Sequence, residues 1–189
     1  LYAASNEDKE QGLNDFDDAV FGHIGFAISN TFRSIWFSFT GARLAGAPFD
    51  DETAGYYRSL QRFSSNLALL SDVSMAVLGG ELKRRERISA RLGDVLSYIY
   101  LASAVLKRYD DQGRLKEDLP LVHWAMQDSL FKLETALNEL FENFPSSVLG
   151  VVLKGIIMPF GRSYRRPSDK VEHEIASILQ SHNGSRSRL

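Results

Sequence analysis

Cysteine is absent from the 189 residues. That excludes disulfides, thiolate nucleophiles and thiolate metal sites, and it suits a reducing compartment. Charge of one sign is also lacking: 22 Lys and Arg face 24 Asp and Glu, for a net −2. No global field draws the chain to nucleic acid, and none is expected as a partner. No apolar run reaches the roughly 20 residues that a bilayer span needs. The strongest one, 148–160, has a lysine inside it. There is no strand-period pattern of comparable strength, no internal repeat, no low-complexity block, and neither a GxGxxG nor a GxxxxGK[ST] phosphate loop. The opening LYAASNEDKE has neither the basic start nor the apolar stretch of a signal peptide. With no initiator Met, it reads as the end of a helix that begins upstream, and the chain is expected to be a fragment.

What is present is helical period. Over 82–109, Ile88, Leu92, Val95, Ile99, Ala102, Leu106 and Tyr109 recur at alternating steps of four and three, one apolar stripe along a long helix. This helix reads as the central element. Before it, 15–42 carries Phe16, Val20, Phe21, Ile24, Ile28, Phe32, Ile35, Trp36 and Phe39, an unusually aromatic helix that reads as packed in a thick core. Pro48 and an Asp50–Asp51 cap open a second helix with Tyr56, Leu60, Phe63, Leu67, Leu70, Ser74 and Val77 on one face. It stops at Gly79–Gly80, which predicts an antiparallel hairpin with the central helix. After Pro120, Val122, Met126, Leu133, Leu137, Leu140 and Phe144 give a fourth core face, which Pro145 ends. The segment 148–160 reads either as a buried closing helix or as an interfacial one. A last helix opens at Ser168 or Asp169, with Asp169 and Glu172 as a capping box. The fold class is all-α: a helical bundle of four main helices plus one or two short C-terminal helices. Residues 1–14 read as linker or the end of a preceding helix, 15–182 as the bundle domain, and 183–189 as a loose tail.

Candidate chemistry is sparse. The adjacent Asp pairs at 17–18, 50–51 and 110–111 fall at helix ends or turns, where capping accounts for them. Asp169 and His173 share a helix face, but no second ligand pair accompanies them, and no metal is expected. Two basic groups stand out. Arg84, Arg85, Arg87 and Arg91 sit at the start of the central helix, with Glu86, Asp94 and Asp72 within reach for ion pairs. Lys154, Arg162, Arg165 and Arg166 lie in and after the apolar segment, an apolar body followed by a basic rim. Arg84, Arg85, Arg87, Lys154, Arg162, Arg165 and Arg166 are the candidate contacts for an anion or a lipid headgroup.

Three runs together carry a resemblance: SNLALLSDVSMAVLGGELKRRERISARLGDVLSYIYLASAVLKRYDDQGR (65–114), LPLVHWAMQDSLF (119–131) and IIMPFGRSYRRPSDKVEHEIASILQ (156–180). The chain resembles the C-terminal region of bacterial FadE-type acyl-CoA dehydrogenases, from about residue 16 onward. The resemblance implies a parent enzyme that uses FAD to oxidise fatty acyl-CoA to trans-2-enoyl-CoA, the first step of β-oxidation. A glutamate takes the α-proton and the flavin the β-hydride. No residue here matches the glutamate motif. The catalytic, flavin and acyl-CoA sites are therefore expected upstream, and none of them in this chain. The implied role is an appended, non-catalytic domain that packs on the catalytic core of the same chain, takes part in a homodimer, and docks on a membrane. The implied location is the bacterial cytoplasm or the cytoplasmic face of the inner membrane. The alternative, from the residues alone, is a free-standing helical adaptor that binds partner proteins through the aromatic first helix.

Overall fold

The computed structural model describes residues 46–188 without interruption, together with 29, 32, 34, 36–38 and 40 of the stretch before them. Among the described residues every regular element is helical. Helix α1 spans Ala54–Leu78, α2 Glu86–Asp111, α3 Leu119–Glu142, α4 Ser147–Ile157, α5 Asp169–Gln180 and α6 Gly184–Arg188. Single 3-10 turns occupy Gly79–Lys83 and Lys116–Asp118. The all-α architecture follows the helical period of the sequence. The first expected helix, 15–42, falls largely outside the described residues, and its described members are helical.

The bundle is centred on α3, not on α2. Helix α3 packs against α2, α4 and α5. Its buried residues sweep a wide arc: Val122, Met126, Leu130, Leu133, Leu137 and Leu140, then Glu134 and Phe141 to one side and Ala136 to the other. Helix α2 buries the single stripe its period predicts, Ile88, Val95, Ile99, Ala102, Leu106 and Tyr109, with Leu92 half-buried. Each leucine or isoleucine removed from water at such a position contributes about 1.5–3 kcal/mol.

The α1–α2 joint departs from a simple hairpin turn. Gly79 takes φ +51, which glycine adopts without a Cβ penalty, and its N–H closes onto the Met75 carbonyl. The chain then winds one 3-10 turn before α2 begins at Glu86, four residues later than the apolar pattern suggests. Lys83, Arg84 and Arg85 therefore belong to the joint and not to the helix.

Two further expectations change for one reason each. Helix α1 buries a second row beside its predicted stripe, comprising Arg62, Ser65, Asn66 and Leu69, while Val77 is exposed. Asn66 Oδ1 accepts from Ser34 Oγ at 2.6 Å and Ser38 Oγ at 3.3 Å. The preceding helix thus turns its serines inward, and Phe32 and Trp36 stack on its outer side with centroids 6.5 Å apart. The acidic caps also do other work. Thr53, Asp118 and Ser168 stand at the N-cap positions without side-chain cap bonds. Asp51 instead accepts from the Thr53 backbone N–H at 2.9 Å and pairs with Arg114, which lies 3.8 Å over the Phe49 ring and also pairs with Asp110. Asp118 pairs with Arg188 at 2.9 Å. Burial pushes the Asp118 carboxyl up, but Arg188 and Ser185 outweigh it and hold the group below its ordinary value. This contact seats α6 in the stretch read as a loose tail, and Ser185 is buried.

Helix α4 returns across α3 at very close range. A Cβ on Gly150 would stand 2.4 Å from the Phe141 carbonyl oxygen, a backbone atom that cannot swing aside. Gly150→Ala should therefore lower stability by about 1–3 kcal/mol in urea unfolding. Gly155→Ala, where the added Cβ meets nothing within 4 Å, should be neutral or stabilising. Equal effects at the two positions would show that α4 is not held by this contact.

Candidate functional site

The most constrained polar group lies inside the bundle. Glu134 is 1% exposed. It sits on α3 between Leu130 and Leu137, in a row that is otherwise apolar. Its Oε2 accepts from the backbone N–H groups of Ser163 and Tyr164, each at 2.9 Å, and its Oε1 accepts from Ser163 at 3.1 Å. Arg62 of α1 approaches Oε1 at 3.8 Å, with its guanidinium 4.4 Å over the Phe63 ring. Tyr164 packs on Phe63 with ring centroids 6.1 Å apart. One carboxyl thus joins α1, α3 and the irregular segment after α4. Burial raises its pKa, and the Tyr164 and Ser163 N–H groups and Arg62 only partly offset that. No sequence argument singled out Glu134. The available signal was a glutamate four residues after Leu130 and three before Leu137, inside a core stripe.

The segment held by Glu134 carries the C-terminal basic group. Arg165 and Arg166 are exposed. Arg162 is exposed but engaged: it donates to Thr135 Oγ1 at 2.6 Å and lies 4.9 Å from the Phe131 ring centroid. Lys154 is half-buried in the last turn of α4. Helix α4 answers both readings of its segment. Gly150, Leu153, Ile157 and the following Met158 are buried, while Val148, Val151, Val152 and Phe160 face outward, Val151 at 73% and Phe160 at 77% exposed. Four large apolar groups are therefore exposed, and exposed arginines follow them in the chain; exposed apolar patches mark interaction surfaces.

The second basic group is at the α1–α2 joint. Arg84, Arg85 and Arg87 are exposed. The expected ion-pair partners Glu86, Asp94 and Asp72 do not supply the bridges. Arg85 pairs with Glu81 at 3.6 Å, and Arg91 reaches Glu139 of α3 at 3.7 Å. Asp72 Oδ2 is buried without a hydrogen-bond partner among the described residues. No ion pair between described residues links the joint to the group at 154–166.

A groove of about 500 Å³ between α1 and α2 is lined by Tyr57, Gln61, Ser64, Ser103, Lys107 and Asp110 among others. Tyr57 donates to Asp110, and burial together with that carboxylate pushes the phenol up to about 12. It is no base near neutral pH. Among the described residues no group of three His, Asp or Glu side chains could hold a metal, and no helix is long and apolar enough to cross a membrane. His173 is bound to its own helix through the Asp169 carbonyl at 2.8 Å.

Comparison with known proteins places this geometry. The family model described as acyl-CoA dehydrogenase, C-terminal, bacterial type, matches residues 1–189. No solved structure matches the chain.

Glu134 gives a test of the buried node. Glu134→Ala leaves two backbone N–H groups and Arg62 unpaired, and should cost about 3–5 kcal/mol. Glu134→Gln retains a carbonyl acceptor and should cost about 1–2 kcal/mol. Because the folded carboxyl has a raised pKa, the folded state holds its proton to higher pH than the unfolded chain. Its stability contribution is full below the unfolded value and falls as pH rises through the folded one. Urea midpoints across that window should decline in the native protein and flatten in Glu134→Gln. An equal decline in both would remove Glu134 as the source.

Proposed function

Because the chain belongs to the family of bacterial-type acyl-CoA dehydrogenase C-terminal domains, we propose that it is the appended helical domain of an FAD-dependent enzyme that converts a fatty acyl-CoA to its trans-2-enoyl-CoA. The match over the whole length carries this reading. The proton-abstracting glutamate, the flavin and the acyl-CoA site then belong to the catalytic core of the enzyme. The domain itself is structural and positional. The groove of about 500 Å³ between α1 and α2 is lined by leucine and alanine side chains beside hydroxyls, one lysine and one carboxylate. None of these residues is assigned to the cofactor.

The outward side of α4 is the working surface in this reading. Val148, Val151, Val152 and Phe160 enter the headgroup boundary of an anionic membrane, and Arg165 and Arg166 meet lipid phosphates, with Lys154 and Arg162 at the margin. The enzyme then acts at the cytoplasmic face of the inner membrane, where a water-poor acyl substrate is supplied. A basic residue near such a surface contributes about 1 kcal/mol. The proposed role of the joint arginines Arg84, Arg85 and Arg87 is contact with the catalytic core.

Co-sedimentation with vesicles of anionic or neutral lipid tests the surface. Arg165→Glu with Arg166→Glu should weaken anionic binding at least about tenfold. Neither side chain has a partner among the described residues, so the change leaves the fold intact. Val151→Asp with Val152→Asp should also weaken it. Binding unchanged by both pairs would remove membrane docking and return the α4 face to the catalytic core.

A further inference from the structure

A cavity of about 240 Å³ lies where α2, α3 and α6 meet. Most of its lining is apolar: Val105 and Tyr109 of α2, and Leu121, Val122, Trp124 and Ala125 of α3. Arg108, Gln112, Asp118, Ser185 and Arg188 complete it. Arg188 donates to Asp118 and to Ser185 Oγ, and Arg108 donates to the Arg188 carbonyl. These polar groups therefore form one connected cluster beside the apolar walls. An apolar cavity with a few convergent polar groups is the usual form of a small-molecule site. A dry apolar cavity of roughly 150 Å³ takes up benzene. One of about 240 Å³ has room for a ring with a short polar extension.

Charge says what the extension carries. Arg188 holds Asp118 in a fork, Nε to Oδ2 at 3.2 Å and Nη2 to Oδ1 at 2.9 Å, and it also pairs with Glu117. The two acids are thus engaged by one arginine. Arg108 is different. It is exposed, and it pairs with no carboxylate among the described residues. Its charge is near enough to help keep Asp118 ionised, which places it at the polar cluster. A guanidinium has five N–H donors, and the Arg188 carbonyl does not exhaust them. An arginine that lines an apolar cavity and lacks a carboxylate fits a carboxylate with an apolar body.

Helix α6 lies across this site as a strap. Its buried residue is Ser185, whose Oγ donates to the Glu117 carbonyl at 3.3 Å. Its described anchors on the turn before α3 are polar, and partly exposed ion pairs of this kind contribute little each. The strap opens at small cost, and a ligand beneath it adds the apolar contact it lacks.

We propose that the cavity between α2, α3 and α6 binds a small monocarboxylate whose apolar body is the size of one aromatic ring, with Arg108 taking the carboxylate and α6 closing over it. The site shares no residue with either basic group, and it stands whether or not the domain docks on a membrane.

Phenylacetate is the probe, added to the full 189-residue chain. Trp36→Phe leaves Trp124 as the sole tryptophan, and its emission should change saturably with phenylacetate. By calorimetry phenylacetate should bind at least about tenfold more tightly than phenethyl alcohol, which keeps the ring and lacks the charge, and phenethylamine should bind more weakly still. Arg108→Gln should weaken phenylacetate at least about tenfold and leave phenethyl alcohol unchanged. Arg108 is exposed, so this change leaves the fold intact. Hydrogen exchange locates the ligand: phenylacetate should slow it within 105–125 and 184–188. No saturable response at millimolar phenylacetate would overturn the proposal, as would equal affinity for acid, alcohol and amine. Protection confined to other segments would place the ligand elsewhere and overturn it too. Arg108→Gln that binds phenylacetate like the native chain would remove Arg108 as the carboxylate's partner.

Discussion

The carboxyl of Glu134 is the constraint on which the arrangement of the described helices turns. An ionisable group taken this far from water must find donors, and here they come from three separate pieces of chain. Arg62 fixes α1 against α3. The Ser163 and Tyr164 backbone groups fix the stretch after α4, which has no regular secondary structure to satisfy its own amides. The apolar stripes bring the helices together without much preference for one axial setting. The polar node selects the setting in which all its donors converge. Because burial leaves the carboxyl with a raised pKa, this specificity is not free stability.

Much of this bundle was legible because helical burial leaves a period in the sequence. The stripes from Ile88 to Tyr109 and from Val122 to Phe144 come out buried as their spacing requires. What period cannot convey is depth. It ranks a stripe by regularity, so α2 looked central. The helix that is central, α3, has a wider and less regular arc interrupted by Glu134. Capping rules failed for a related reason. An aspartate before a helix is offered both the helix N–H groups and any arginine that tertiary structure delivers. At Asp51 and Asp118 the arginine is the stronger partner, and Arg114 and Arg188 arrive from positions 63 and 70 residues away. Of the aromatic stretch before residue 46, the described Ser34 and Ser38 are buried and donate to Asn66 of α1, while Phe32 and Trp36 are exposed.

The candidate basic residues divide along the same lines. Arg162, drawn toward Thr135 and Phe131, is partly a structural residue, whereas Arg165 and Arg166 project freely. Sequence alone weights the three equally, since each follows the apolar segment. Likewise, Arg85 and Arg91 have carboxylates nearby, but Glu81 and Glu139 rather than the nearest acids along the helix. The chain belongs to the dehydrogenase C-terminal family, and its described surface carries many exposed apolar groups. Among the described residues, α2 and α4 each turn large apolar side chains outward.

The stretch between α4 and α5 sets a limit on how this domain can be cut or fused. It looks dispensable: irregular, rich in exposed arginine, and followed by a short amphipathic helix. Yet a boundary drawn before Ser163 would strip a buried carboxylate of its main donors and leave Arg62 as its sole companion. The minimal folding unit therefore extends past Tyr164, and a tag or partner joined at Gly161 would meet an interior charge where it expects a surface.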